Sequence, residues 1–145
     1  MKSMQKAHAR IIWDVDFAPL EWGRGFVTGS RDKGVKFWGG EGWDCVSMVK
    51  FAEAVTACAF LQSVVGGMGY CAVGLENGGI YILGCEVGKT EWRVVHSLEE
   101  RMTHAEGVTA MAWRPKQEMG IWELASCGDD CSVRIFEVMF PGNQI

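Results

Sequence analysis

The chain has 145 residues, close to half of them apolar, with seven tryptophans and a formal charge of −4. That apolar content excludes a disordered or linker-like chain, the length suits one respectable core, and the acidic balance gives no basic footprint for nucleic acid. Six cysteines (45, 58, 71, 85, 127 and 131) accompany an opening, Met1-Lys-Ser-Met-Gln-Lys6, that has no apolar signal stretch, so reduced thiols are expected rather than a disulfide framework.

From the N terminus, Ile12–Phe17, Phe26–Ser30, Val35–Trp38 and Cys45–Lys50 are short β-branched and aromatic runs. Turn residues separate them at Pro19–Gly25, Arg31–Gly34 and Gly39–Gly42, which predicts a meander of antiparallel strands. A second set follows at Val55–Leu61, Tyr70–Leu75, Ile80–Leu83 and Trp92–Ser97. A third follows at Val108–Arg114, Glu123–Cys127 and Val133–Val138, with no room after it for a fourth strand. The charge-free run from Ala54 to Leu75 is long enough to raise a membrane span. Its Thr56, Gln62, Ser63 and interspersed glycines suit two buried strands and a turn instead, so no membrane partner is expected.

The three sets repeat one pattern. His8-Ala-Arg-Ile-Ile-Trp-Asp-Val-Asp-Phe17 leads to Val27-Thr-Gly-Ser-Arg-Asp-Lys-Gly-Val-Lys-Phe-Trp38, and His104-Ala-Glu-Gly-Val-Thr-Ala-Met-Ala-Trp113 leads to Leu124-Ala-Ser-Cys-Gly-Asp-Asp-Cys-Ser-Val-Arg-Ile-Phe136. Between them, Val55-Thr-Ala-Cys-Ala-Phe60 leads to Cys71-Ala-Val-Gly-Leu-Glu-Asn-Gly-Gly-Ile-Tyr-Ile-Leu83. The anchoring aromatics Phe17, Phe60 and Trp113 stand about 43 and 53 residues apart, near the period of roughly 40–45 that marks WD40 propeller blades. The expected fold is all-β: a partial WD40 β-propeller over residues 1–145, with blades at approximately 8–50, 51–97 and 104–138 and the last lacking its outer strand. Three blades are too few to close a ring. The chain is therefore expected to be three consecutive blades from the C-terminal part of a larger propeller and unstable alone; the alternative is two copies closing a six-bladed ring.

Polar residues recur inside this pattern. His8, Thr28, Asp32 and Trp38 match the buried His–Ser/Thr–Asp–Trp tetrad of WD40 blades. His104, Ser126 and Asp130 repeat it, with Phe136 where tryptophan would stand. In the second repeat Phe51, Ala72, Asn77 and Leu83 occupy the corresponding positions, and apolar packing must hold that blade. A hydroxyl beside His and Asp is also the nucleophile arrangement of hydrolases. Because the constellation recurs some 96 residues on within the same repeat, the structural reading is preferred, and neither catalytic residues nor an enzyme are expected. With no Cys-x-x-Cys pair, no glycine-rich phosphate loop and no His-rich motif, neither a metal nor a cofactor is expected.

The blocks His8-Ala-Arg-Ile-Ile-Trp-Asp14, Thr28-Gly-Ser-Arg-Asp-Lys33, Val35-Lys-Phe-Trp-Gly39, Ala72-Val-Gly-Leu-Glu76, Ala125-Ser-Cys-Gly-Asp-Asp130 and Val133-Arg-Ile-Phe136 resemble, in the same order, the C-terminal end of the Elongator subunit 2 family. Members of that family carry two full propellers. The resemblance implies a non-catalytic scaffold that holds the large scaffold subunit and the catalytic acetyltransferase subunit together while wobble uridines of tRNA are modified at carbon 5. It also implies an indirect tRNA contact, and a cytoplasmic location with the nucleus as a second one. Candidate partner-contact residues on the rim are Arg10, Trp13, Asp14, Arg31, Lys33, Glu76, Asn77 and Asp129, each of which also reads as a solvated turn or a charge stabilising its own blade. The alternatives are a generic WD40 adaptor in another assembly, a propeller rim that binds RNA directly, and an esterase using Thr28 or Ser126.

Overall fold

The computed structural model describes residues 1–142. Among them, eleven strands form three antiparallel sheets. The first sheet holds β1 (Ile12–Phe17), β2 (Gly25–Ser30), β3 (Gly34–Gly39) and β4 (Asp44–Lys50). The second holds β5 (Val55–Phe60), β6 (Met68–Leu75), β7 (Ile80–Glu86) and β8 (Arg93–Ser97). The third holds β9 (Val108–Trp113), β10 (Trp122–Gly128) and β11 (Val133–Val138). Within each sheet, strands adjacent in sequence are adjacent in space, so each sheet is one propeller blade folded from a continuous segment.

The blades share register as well as order. β1 and β5 each carry an irregularity at their start, at Ile12/Asp14 and Val55/Ala57. β9 carries the same irregularity at Val108/Ala110, which face the consecutive residues Gly128 and Cys127. Pairing then makes Thr28, Val73 and Ser126 equivalent, and Gly29, Gly74 and Cys127 equivalent. The expected alignment put Ala72 at the hydroxyl position of the second repeat; strand pairing puts Val73 there, because Val73 faces Tyr81 as Thr28 faces Lys36. The strand expected to end at Leu83 runs on to Glu86, since Gly84, Cys85 and Glu86 pair with Tyr70, Gly69 and Met68.

The middle blade explains the apolar run at Ala54–Leu75. One of its faces joins Val27, Val35 and Phe37 of the first blade through Cys58, Phe60, Cys71, Val73 and Leu83. The other, with Ala57, Ala59, Ala72, Ile80 and Ile82, meets Val108, Trp113, Leu124 and Phe136 of the third. A sheet covered on both faces has no polar face to present, so its strands lose the apolar–polar alternation that half-buried strands show. Aromatic side chains close both interfaces. Trp92 stacks on Phe37 with ring centroids 4.1 Å apart and 1° between planes, flanked by Trp22 and Phe60. Phe140, beyond β11, turns back onto Tyr70 at 3.8 Å. Fully burying each such side chain contributes about 1.5–3 kcal/mol.

Candidate functional site

In the first blade the four polar residues meet in one buried relay. Asp32 lies in the β2–β3 turn, where its carboxylate accepts from the Ala9 and Gly34 backbone N–H groups at 3.0 and 2.9 Å. His8 Nδ1 lies 3.0 Å from the same carboxylate, and Nε2 lies 2.7 Å from Thr28 Oγ1. Trp38 Nε1 donates to Thr28 Oγ1 at 2.9 Å. A carboxylate only accepts, so Nδ1 carries the imidazole proton and Nε2 accepts from the threonine hydroxyl. The proton-donor chain therefore runs Trp38 to Thr28 to His8 to Asp32.

Electrostatics agree with that tautomer. Burial pushes the His8 pKa below its usual 6.5, outweighing the hydrogen bond and charge of Asp32. Burial would raise Asp32, but the hydrogen bonds from Ala9, His8 and Gly34 prevail and bring it down to about 2. Hydrogen bonding contributes more than the charge of His8 to keeping Asp32 ionised.

The third blade repeats all but the last link. His104 Nδ1 and Nε2 sit 2.8 Å from Asp130 and 2.8 Å from Ser126 Oγ. Ser132 donates to Asp130 at 2.7 Å, and this hydroxyl, followed by His104, holds the Asp130 carboxyl well below the usual carboxylate range. Phe136 offers no N–H, so Ser126 serves the histidine alone. Ser132 was not singled out from sequence, because a serine two residues beyond a turn aspartate is common to many turns. In the second blade Val73 and Leu83 fill the equivalent volume, and Asn77 caps its own turn by accepting from Gly79 N at 3.1 Å.

Six of the eight rim candidates gather at one end of the blades. The hairpin turns donate in parallel to the segments that enter their own blades: Arg31 N to Ile11 O, Glu76 N to Ala54 O and Asp129 N to Gly107 O, all at 2.8–2.9 Å. Arg10, Arg31, Lys33, Glu76, Asn77 and Asp129 are exposed there. Lys33 also reaches the next blade, donating from Nζ to Ala52 O at 2.7 Å. Trp13 is 41% exposed on β1. Asp14 is not a free rim charge: its carboxylate accepts from Cys58 N at 2.8 Å across the blade boundary.

Asp16, which sequence reasoning passed over, does the same with Phe60 N at 2.7 Å. Burial raises the Asp16 pKa, the Phe60 and Phe17 amides only partly opposing it. Two carboxylates thus staple the innermost strand of one blade to the edge of the next. The readable signal was an Asp-x-Asp on one face of a strand whose counterparts, Ala57/Ala59 and Ala110/Ala112, are alanines. Where those alanines stand, Trp113 Nε1 instead donates to Ala59 O at 3.0 Å.

Among the described residues, no group of three or more His, Cys, Asp and Glu side chains could hold a metal ion, and no helix is long and apolar enough to cross a membrane. The profile of the WD domain, G-beta repeat, family matches residues 1–39 and 92–137, the segments that contain the two relays. The chain belongs to the WD40 family. The unmatched stretch contains most of the blade that lost its polar relay, and this WD40 chain nonetheless folds it in the same register as its neighbours. The WD40 chain is 37% identical to Elongator complex protein 2 of Saccharomyces cerevisiae over 141 residues, 94% of this chain and 18% of that protein. It is 40% identical to the Schizosaccharomyces pombe protein of that name over 92% of this chain, and 34% identical to the Arabidopsis thaliana one over 93%. The chain spans 18% of the length of each of these three relatives.

Proposed function

We propose that this WD40 chain is a non-catalytic scaffold segment of an Elongator subunit 2, helping to hold the large scaffold and catalytic acetyltransferase subunits together while wobble uridines of tRNA are modified at carbon 5. The observation that carries the reading is similarity to Elongator complex protein 2 over more than nine-tenths of the chain, too long a span to omit the middle blade that the general WD40 profile leaves largely unmatched. A scaffold role also suits the relay. Both histidine side chains are fully buried and the Thr28 and Ser126 residues are 6% and 3% exposed, so neither hydroxyl is open to a substrate as an esterase nucleophile must be. The exposed rim of Arg10, Arg31, Lys33, Glu76, Asn77 and Asp129 is the surface on which partner subunits would bear. Its mixed charge favours protein over RNA, leaving tRNA contact indirect. This reading implies a cytoplasmic location, with the nucleus as a second one.

Deleting the gene for this chain and measuring tRNA nucleosides by mass spectrometry tests the proposal. Loss of carbon-5-modified wobble uridine, with dissociation of the acetyltransferase subunit from the large scaffold, is the expected result. Intact modification and an intact complex would refute it and leave an adaptor in another assembly.

A further inference from the structure

At the end of the blades where the exposed hairpin turns lie, charge is sorted by blade. Arg31, Glu76 and Asp129 hold one register position, since their amides donate to Ile11 O, Ala54 O and Gly107 O in turn. The residues just before those acceptors, Arg10, Glu53 and Glu106, hold a second. Both positions are cationic in the first blade and carboxylate in the second and third. Lys33 adds a further cation to the first blade, and Glu53 and Glu106 are residues that sequence reasoning passed over. The sign changes at the first blade boundary, where Lys33 Nζ donates at 2.7 Å to Ala52 O, one residue before Glu53. At the second boundary the acidic turns abut. A Cβ on Gly107, beside Glu106, would lie 2.9 Å from Asp129 Oδ2 and 3.2 Å from Glu76 O.

A surface that only faces water carries both signs interspersed, and elsewhere this chain does so. Lys50 faces Asp32, Arg101 faces Glu99, Arg114 faces Glu123 and Arg134 faces Asp130. Arg134 of the third blade is thereby committed, and it also donates to Met102 O at 3.4 Å. Among the described residues, none of the seven sorted side chains forms an ion pair within the chain. All but the half-buried Glu53 are exposed. Like charges gathered without counter-charges repel one another, and a partner of opposite sign relieves that repulsion.

We propose that these turns form a polarised docking surface for one protein partner, which sets a lysine- or arginine-bearing segment on the second and third blades and a carboxylate-bearing segment on the first. The inference rests on the scaffold reading and adds to it the partner's chemistry and direction. A standard interface covers about 800 Å² of each partner, enough to span the turns of neighbouring blades, so one partner meets both signs. Turned end for end, the same partner would bring cation onto cation and carboxylate onto carboxylate. The polarity therefore fixes its direction across the blades. RNA phosphates suit the first blade alone and are repelled by the carboxylates beside it.

The test is carbodiimide cross-linking of the complex purified through this chain, read by peptide-level mass spectrometry. The reagent joins a carboxylate to an amine in contact with it and adds no spacer. Glu76, Glu106 or Asp129 is expected to be linked to lysines of one protein, and Lys33 to an aspartate or glutamate of the same protein. In a second arm, Arg31→Glu/Lys33→Glu reverses the first blade and Glu76→Lys/Asp129→Lys reverses the other two. Each is expected to cut retention of that protein about tenfold or more at about 0.15 M salt. The melting temperature of the chain is expected to stay unchanged, because these side chains are exposed. Either variant retaining the protein at the wild-type level would overturn the proposal. So would release of the protein by ribonuclease, which would mean that RNA bridges the two. Linkage to a protein outside the Elongator complex, lost in both variants, would refute the scaffold reading and leave the polarity standing.

Discussion

Replacing Thr28 with valine probes whether the relay is a stability element of the first blade. Valine keeps the shape of threonine, and Val73 shows that the same site in the second blade accepts it. In the first blade, though, Thr28 Oγ1 serves two buried partners, Trp38 Nε1 at 2.9 Å and His8 Nε2 at 2.7 Å. Each one left without a partner costs about 1–3 kcal/mol, so Thr28→Val is expected to lose about 2–4 kcal/mol. Ser126 serves only His104, and Ser126→Ala is expected to cost about 1–2 kcal/mol. Trp38→Phe, which copies Phe136, removes the orphaned indole; combined with Thr28→Val it should fall short of additivity by about 1 kcal/mol. Urea unfolding followed by far-ultraviolet circular dichroism gives these differences, and hydrogen exchange of the Trp38 indole localises them to the first blade. The argument is refuted if Thr28→Val lies within about 0.5 kcal/mol of wild type or if the two substitutions add strictly.

The remaining expectations concern the same contacts. His8 has a folded pKa below 6.5, so stability is full above pH 6.5 and erodes as pH falls beneath it; thermal melts across pH should show this, and His8→Gln should flatten it. Asp32, held at about 2 against 3.8, adds stability above pH 3.8 that is lost as pH falls toward 2, a contribution of about 2 kcal/mol. Asp16, raised above 3.8, acts in the opposite sense and recovers part of that loss as it takes up its proton. Gly74→Ala should destabilise by about 1–3 kcal/mol through the Val108 contact, and Val108→Ala should relieve much of it in the double variant. Asp14→Ala and Asp16→Ala leave the Cys58 and Phe60 amides without their acceptors, and each should cost about 1–2 kcal/mol in a urea titration.

What could be read from the sequence was what repeats. A period of blade length, with His, Ser or Thr, and Asp at matching offsets, gave both the all-β architecture and the residues that meet in the two relays. Local turn chemistry made that possible, because an aspartate in a β-hairpin turn must accept nearby N–H groups wherever it occurs. Ala72 and Val73 were confused for a related reason: where the polar residues are gone, composition no longer distinguishes adjacent apolar positions, and only strand pairing decides the register. Contacts between blades were hidden more deeply. An Asp-x-Asp in an edge strand reads as solvated surface until the next blade's amides are placed beside it. A glycine inside a strand reads as a weak point until the valine seated against it is seen. Both belong to the joints rather than the blades, so comparison between repeats exposes them: alanine where one blade has aspartate, cysteine where two have glycine. The departures from the repeat, more than the repeat itself, carry the information about how this segment meets its neighbours.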